Sequence, residues 1–164
     1  ASSTMSTLKV QEIQHTGGTT GLTIDSSGRV LTPARPMFFA RMNSLTSADS
    51  VVKFDDIQIN VGSCYSSSTG RFTASITGYY WYGFNVMSDN DGTDAYGSVS
   101  IRKNGTAYAA SQFRTELDND FNGLVTGIIS LSSGDYIDCH TSLKAYGENS
   151  VNRNLTHGSA YLIG

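Results

Sequence analysis

The run TGRFTASITGYYWYGFNV, Thr69 to Val86, decides how this chain is read. Between Tyr79 and Phe84 five residues are aromatic. In a strand, alternation sends Tyr80, Tyr82 and Phe84 to one face and Tyr79 and Trp81 to the other. Both faces therefore carry large apolar area. An antiparallel strand with one solvated face would not look like this. Either a second layer covers the other face, or another copy of the chain does. Tyr and Trp suit such a place, because each hides a ring and still satisfies an O–H or N–H.

The surroundings of this run are β-prone throughout. The chain has 164 residues, enough for one ordinary domain and a short appendage. Hydrophobic residues make up 38% and charged residues 15%, with 17 Gly and 9 Tyr, a β-rich and loop-rich balance. Strands are predicted at residues 37–42, 51–54, 71–77, 79–87, 98–103, 106–113, 122–131, 136–143 and 159–163. Turn signals separate them, among them DNDGTD, KNG and SSGD. Asn104-Gly105 predicts a two-residue type I′ hairpin. No segment holds a 3.6-residue period for more than two turns, so a sandwich, jelly roll or barrel is expected.

The net charge is −3 and no Lys/Arg cluster occurs, which argues against a nucleic-acid surface. The apolar runs are too short to span a membrane. The opening ASSTMSTLKV shows no signal-peptide pattern. Cys64 and Cys139 read as small buried hydrophobes, with one intrachain bridge as the alternative.

Near residue 33 the chain changes character. Residues 1–33 alternate short β-prone pieces with turns such as TGGTTG and DSSG. Such pieces do not bury a core alone and need other copies of themselves or a docking surface. Two parts are expected: a β-rich shaft or lead-in over 1–33 and a head over 34–164.

From Phe54 the spacing runs through Asn60, Tyr65, Phe72, Gly78, Tyr80, Tyr82 and Phe84. This pattern resembles the signature of the complement C1q-like globular heads, relatives of the tumour necrosis factor jelly roll. Tyr82 stands where that signature has Phe. LSSGDYIDC and the ending SAYLIG extend the resemblance, which covers roughly Pro36 to Gly164. It implies an all-β, ten-stranded antiparallel jelly roll that assembles as a homotrimer, with the aromatic strand near the threefold axis. Tyr79 and Trp81 are then the candidate trimer interface. It also implies action by binding rather than catalysis. No Gly-X-Y period precedes the head. Instead GLTIDSSGRVLTPARPMF resembles the lead-in of bacteriophage tail-fibre and other virion appendage proteins.

The chemistry agrees with a binding module. Adjacent Cys139 and His140 point to opposite faces of a strand and form no nucleophilic pair. No Gly-x-Ser-x-Gly, His-Glu-x-x-His or phosphate loop occurs. The loop Asp89–Asp94 fails as an EF-hand, with Asp94 at position six and Ser100 at position twelve. It reads as a solvated turn, with Ca²⁺ held by Asp89, Asp91 and Asp94 as the sharper alternative; no other cofactor is expected. Candidate ligand-binding residues lie in three loops: Asp89, Asn90, Asp91, Asp94 and Tyr96; Arg114, Glu116, Asp118 and Asp120; and Tyr146, Glu148 and Arg153. The expected function is a trimeric head at a virion surface or outside a cell, attaching to a host glycan or protein receptor. The alternatives are a structural capping module of a virion and a secreted C1q-like recognition or signalling ligand.

Overall fold

A computed structural model describes residues 8–89, 95–115, 121–145 and 155–164. The chain divides into two units, Ala1–Arg35 and Pro36–Gly164.

The first unit is an antiparallel meander of β1 (Glu12–Gln14), β2 (Thr20–Ile24) and β3 (Val30–Leu31). The β2–β3 turn is closed by Asp25. Its carboxylate accepts the backbone N–H groups of Ser27 and Arg29 and pairs with the Arg29 guanidinium at 2.6 Å. These donors, the Arg29 N–H first, hold the Asp25 carboxyl below its ordinary pKa. Gly28 supplies the positive φ, 79°, that the turn requires.

The second unit carries β4 (Met37–Arg41), β5 (Ser50–Val51), β6 (Asp56–Val61), β7 (Tyr65–Ser66), β8 (Arg71–Thr73) and β9 (Gly78–Asp89). These are followed by β10 (Ala95–Lys103), β11 (Thr106–Thr115), β12 (Phe121–Leu131), β13 (Tyr136–Thr141), β14 (Lys144–Ala145) and β15 (His157–Leu162). They form two antiparallel six-stranded sheets. The first sheet runs β12-β9-β15-β4-β6, with β14 also on β9; the second runs β11-β10-β13-β8-β7, with β5 on β13. This unit has twelve described strands where ten were expected, and three of the twelve, β5, β7 and β14, are two-residue pieces.

Alternation builds the core between the sheets. Tyr80, Tyr82, Phe84 and Val86 point inward from β9, meeting Phe38 and Ala40 of β4 and Val99, Ile101, Ile137 and Cys139 of the second sheet. Of the strand expected over 51–54, residues 52–54 are irregular, with Val52 and Phe54 buried and Lys53 exposed. Their backbone is satisfied otherwise: the Val52 N–H donates to the Cys139 carbonyl at 2.8 Å and the Phe54 N–H to the Tyr65 hydroxyl at 2.8 Å. Strand β6 was not expected; its alternation of Ile57 and Ile59 with Asp56, Gln58 and Asn60 is a period-2 pattern interrupted by no turn residue. The Asn104-Gly105 hairpin forms with positive φ at both residues, 51° and 83°. Asn104 braces it, donating to Asp135 at 2.8 Å and accepting the Tyr136 N–H at 2.9 Å.

Candidate binding face and loop-bearing end

Strand β9 sits inside the first sheet, so its two aromatic faces meet different surroundings. The face turned away from the core carries Tyr79 and Trp81, aligned with Ile128 of β12 and Tyr161 of β15. The Trp81 and Tyr161 ring centroids are 5.5 Å apart. Tyr79 is 61%, Ile128 58%, Leu124 56% and Tyr161 42% exposed in the single chain. Gly83 makes room for the indole: a Cβ there would lie 2.6 Å from the Trp81 ring. Beside it opens a cavity of about 250 Å³ lined by Trp81, Gly83, Asn85, Leu124, Thr126, His157 and Ser159. By contrast, the register of the second sheet puts Arg102, Asp138, Ser100 and His140 on its outer side. Arg102 grips the buried Asp138 carboxylate through two N–H groups, at 2.7 and 3.0 Å. One outer face is polar, the other carries a contiguous exposed apolar patch.

The signature residues lie beneath these faces. Phe54, Tyr65, Phe72, Tyr80, Tyr82 and Phe84 are all buried. Phe54 stacks on Phe84 with centroids 5.8 Å apart, and Phe38 stacks on Tyr65 at 4.4 Å. Asn60 acts as a surrogate peptide: its amide donates to the Tyr65 carbonyl at 2.9 Å and its oxygen accepts the Tyr65 N–H at 3.0 Å. Gly78 sits where a Cβ would fall 2.9 Å from the Gly164 carbonyl oxygen. The Tyr82 hydroxyl points at Gly127, where a Cβ would come within 2.8 Å of it. These residues hold the sandwich together; they present nothing to a ligand.

The strand ends that flank the three candidate loops converge at one end of the sandwich. Ala95 pairs with Thr115, Phe121 with Ser88, and Lys144 with Asp89. The Phe113 and Phe121 rings stack at 4.4 Å, tying β11 to β12 across the two sheets there. Tyr96 and Arg114 are cross-strand partners, the guanidinium 5.9 Å from the exposed phenol ring. Asn90, Asp91, Asp94, Glu116, Asp118, Asp120, Tyr146, Glu148 and Arg153 lie outside the described residues, as does the side chain of Asp89.

Cys64 and Cys139 are both free and buried. Burial pushes the Cys64 thiol up to about 11 and the Cys139 thiol higher still. His140 faces away from Cys139 and approaches Asp49 at 3.5 Å. Among the described residues no cluster of His, Cys, Asp or Glu is placed to hold a metal ion, and no helix is long and apolar enough to cross a membrane. Sequence reading missed Gly83, Leu124, Ile128 and Tyr161 as parts of the apolar face. The signal lay in LVTGIIS, which, like the aromatic run, is apolar on both faces.

Fold and burial define a two-sheet jelly roll of the tumour-necrosis-factor type. The sequence profile of the C1q domain matches residues 37–158, and the chain belongs to the C1q domain family. It is 38% identical over 64 residues to a complement C1q subcomponent of Bos taurus, a match covering 39% of this chain and 26% of that protein. It is 26% identical over 93 residues to complement C1q tumor necrosis factor-related protein 3 of Mus musculus, covering 56% and 37%. The matched segments thus span well under half of these relatives. Among solved structures it resembles the globular domain of zebrafish complement 1qA protein, with a TM-score of 0.61 at 15% identity over 79% of this chain and 98% of that one. It also resembles murine APRIL, with a TM-score of 0.60 at 15% identity over 79% and 99%.

Proposed function

We propose that this chain is one of three identical protomers of a trimeric recognition head that acts outside cells by binding, not by catalysis. The observation that carries the reading is the exposed apolar face of β12, β9 and β15. Four large side chains and a cavity floored by an indole would stand in water in a monomer. Three copies closed around a cyclic axis cover that face in every protomer. Aromatic rings with polar tips are what such an interface selects.

Assembly of this kind sets the loop-bearing ends of three sandwiches side by side. Each weak single site then gains from avidity, on the order of 10²–10⁴-fold if the sites engage together. The loop sequences are rich in Asp, Asn, Glu, Arg and Tyr, donors and acceptors for a glycan or the polar rim of a protein. The ligand proposed is a cell-surface carbohydrate or envelope protein. Ca²⁺ held by Asp89, Asp91 and Asp94 is part of this proposal. Binding of labelled protein to a broad glycan and host-cell panel tests it. Ala substitutions at Tyr96 and Arg114 should weaken binding while the particle stays intact. Binding no better than that of an unrelated trimer favours the structural-cap reading.

Two settings are compatible with such a head. Similarity to a complement C1q subcomponent and to a C1q-related protein favours a secreted recognition ligand. The lead-in, a β-meander without a Gly-X-Y repeat, favours a virion appendage. Capsid and tail genes beside the coding sequence would decide for the second.

A further inference from the structure

The first unit is amphipathic in a way the sequence conceals. Ile13 faces Leu22 across β1–β2, and Ile24 faces Val30 across β2–β3. Leu22 and Ile24 are two residues apart on one strand, so these four side chains share one face. The other face carries Glu12 and Thr23, which are register partners, and one apolar side chain, Leu31, which pairs with Thr23 and is 47% exposed. There Glu12 accepts hydrogen bonds from Gln14 at 2.7 Å and Thr20 at 3.0 Å. A register shift after Ile13 brings Gln14 opposite Thr20 and so moves Thr20 onto this polar side. On this face Glu12, Gln14 and Thr20 satisfy one another. The apolar face is open: Ile13 is 53% and Val30 61% exposed.

We propose that this apolar face packs against the same face of two further copies of the chain, closing three meanders into a triangular β-prism. The inference rests on the homotrimer proposed above. A sheet with one apolar face must bury it against another element, and the described residues of this unit supply none. The chain itself indicates the occupant. Only residues 32–36 separate β3 from β4, a span of roughly 20 Å at full extension. The Pro36 carbonyl accepts the Leu162 N–H, next to Tyr161 on the face proposed to meet the axis. Three such short tethers leaving the same interface hold the meanders at an effective concentration on the order of millimolar. No free partner competes easily with that.

Cysteine reporters in the full chain test this. Ile13→Cys and Val30→Cys lie on the apolar face, and Glu12→Cys lies on the polar one; Cys64 and Cys139 are buried. Dilute protein is treated with a short bismaleimide and run on a denaturing gel, and the same samples are measured by light scattering. A shift to covalent dimer is expected for Ile13→Cys and for Val30→Cys, with none for Glu12→Cys. A trimer without that shift, or with an equal shift for Glu12→Cys, overturns the prism and leaves the head trimer standing. A monomer overturns both.

Discussion

The Trp81 indole on β9 and the Tyr161 ring on β15 are direct register partners, 5.5 Å apart, on the side of their sheet that faces away from the core. Their neighbour Ile128 pairs with Trp81 from the other flank. A row of three large side chains across three strands outside a core is the kind of apolar patch that marks an interaction surface, and the proposed trimer covers it.

Ile128→Asp probes that cover. Within one chain Ile128 is 58% exposed, so monomer folding should change by no more than ~0.5 kcal/mol. In the assembly the substitution places an uncompensated charge in an apolar interface, at a cost of about 3–5 kcal/mol per site. Expected is a folded monomer by circular dichroism and sedimentation, at concentrations where the parent stays assembled. An assembled Ile128→Asp protein would move the interface elsewhere.

Gly158→Ala tests the packing of the signature aromatics. A Cβ at Gly158 would lie 2.7 Å from both the Phe54 and Phe84 rings, which are stacked on each other. The rings have no room to give, and overpacking of this kind costs about 1–3 kcal/mol. Urea unfolding should show the loss in its midpoint with an unchanged slope. A neutral result would mean that the core is looser than its geometry.

Tyr65→Phe isolates a single hydroxyl. It removes the acceptor of the Phe54 N–H while keeping the ring stacked on Phe38. A buried N–H left without a partner costs about 1–3 kcal/mol. Equal stability of Tyr65→Phe and parent would show that another group accepts that proton.

Asp135 gives an acid signature. The Asn104 side chain, then the Ser132 N–H, then Lys103 hold its carboxyl down at about 2, against an unfolded value of 3.8. A depressed folded pKa means stability that is complete above the unfolded value and is lost as pH falls through the folded one. Unfolding scans between pH 5 and about 2 should show the parent losing stability over that window. Asp135→Asn should be less stable at neutral pH and flatter across the window. An identical pH slope in both proteins would contradict the assignment.

Much of the head was legible in the sequence because its signal is local and repeated. Tyr80, Tyr82 and Phe84 alternate inward as period 2 demands, and the Asn104-Gly105 turn announces itself by needing two positive φ angles. Asn60 was legible only as a position in a spaced pattern. Its role, satisfying both polar groups of Tyr65, depends on a contact that no periodicity encodes. Strand β6 escaped because Asp56, Gln58 and Asn60 lower its apparent β-propensity although the alternation is intact. The apolar outer face was half visible: Tyr79 and Trp81 stood out, while Leu124, Ile128 and Tyr161 joined them only through register. For the same reason the apolar face of Ile13, Leu22, Ile24 and Val30 in the β1–β3 meander could not be read, since one shifted residue after Ile13 reassigns Thr20 to the other side.

Sedimentation equilibrium of the intact chain over a wide concentration range tests the assembly most directly. One protomer weighs 17.6 kDa. A single species of three times that mass, dissociated by Ile128→Asp, is the expected result. A folded monomer at micromolar concentration, with Tyr79, Trp81 and Tyr161 left in water, would contradict it.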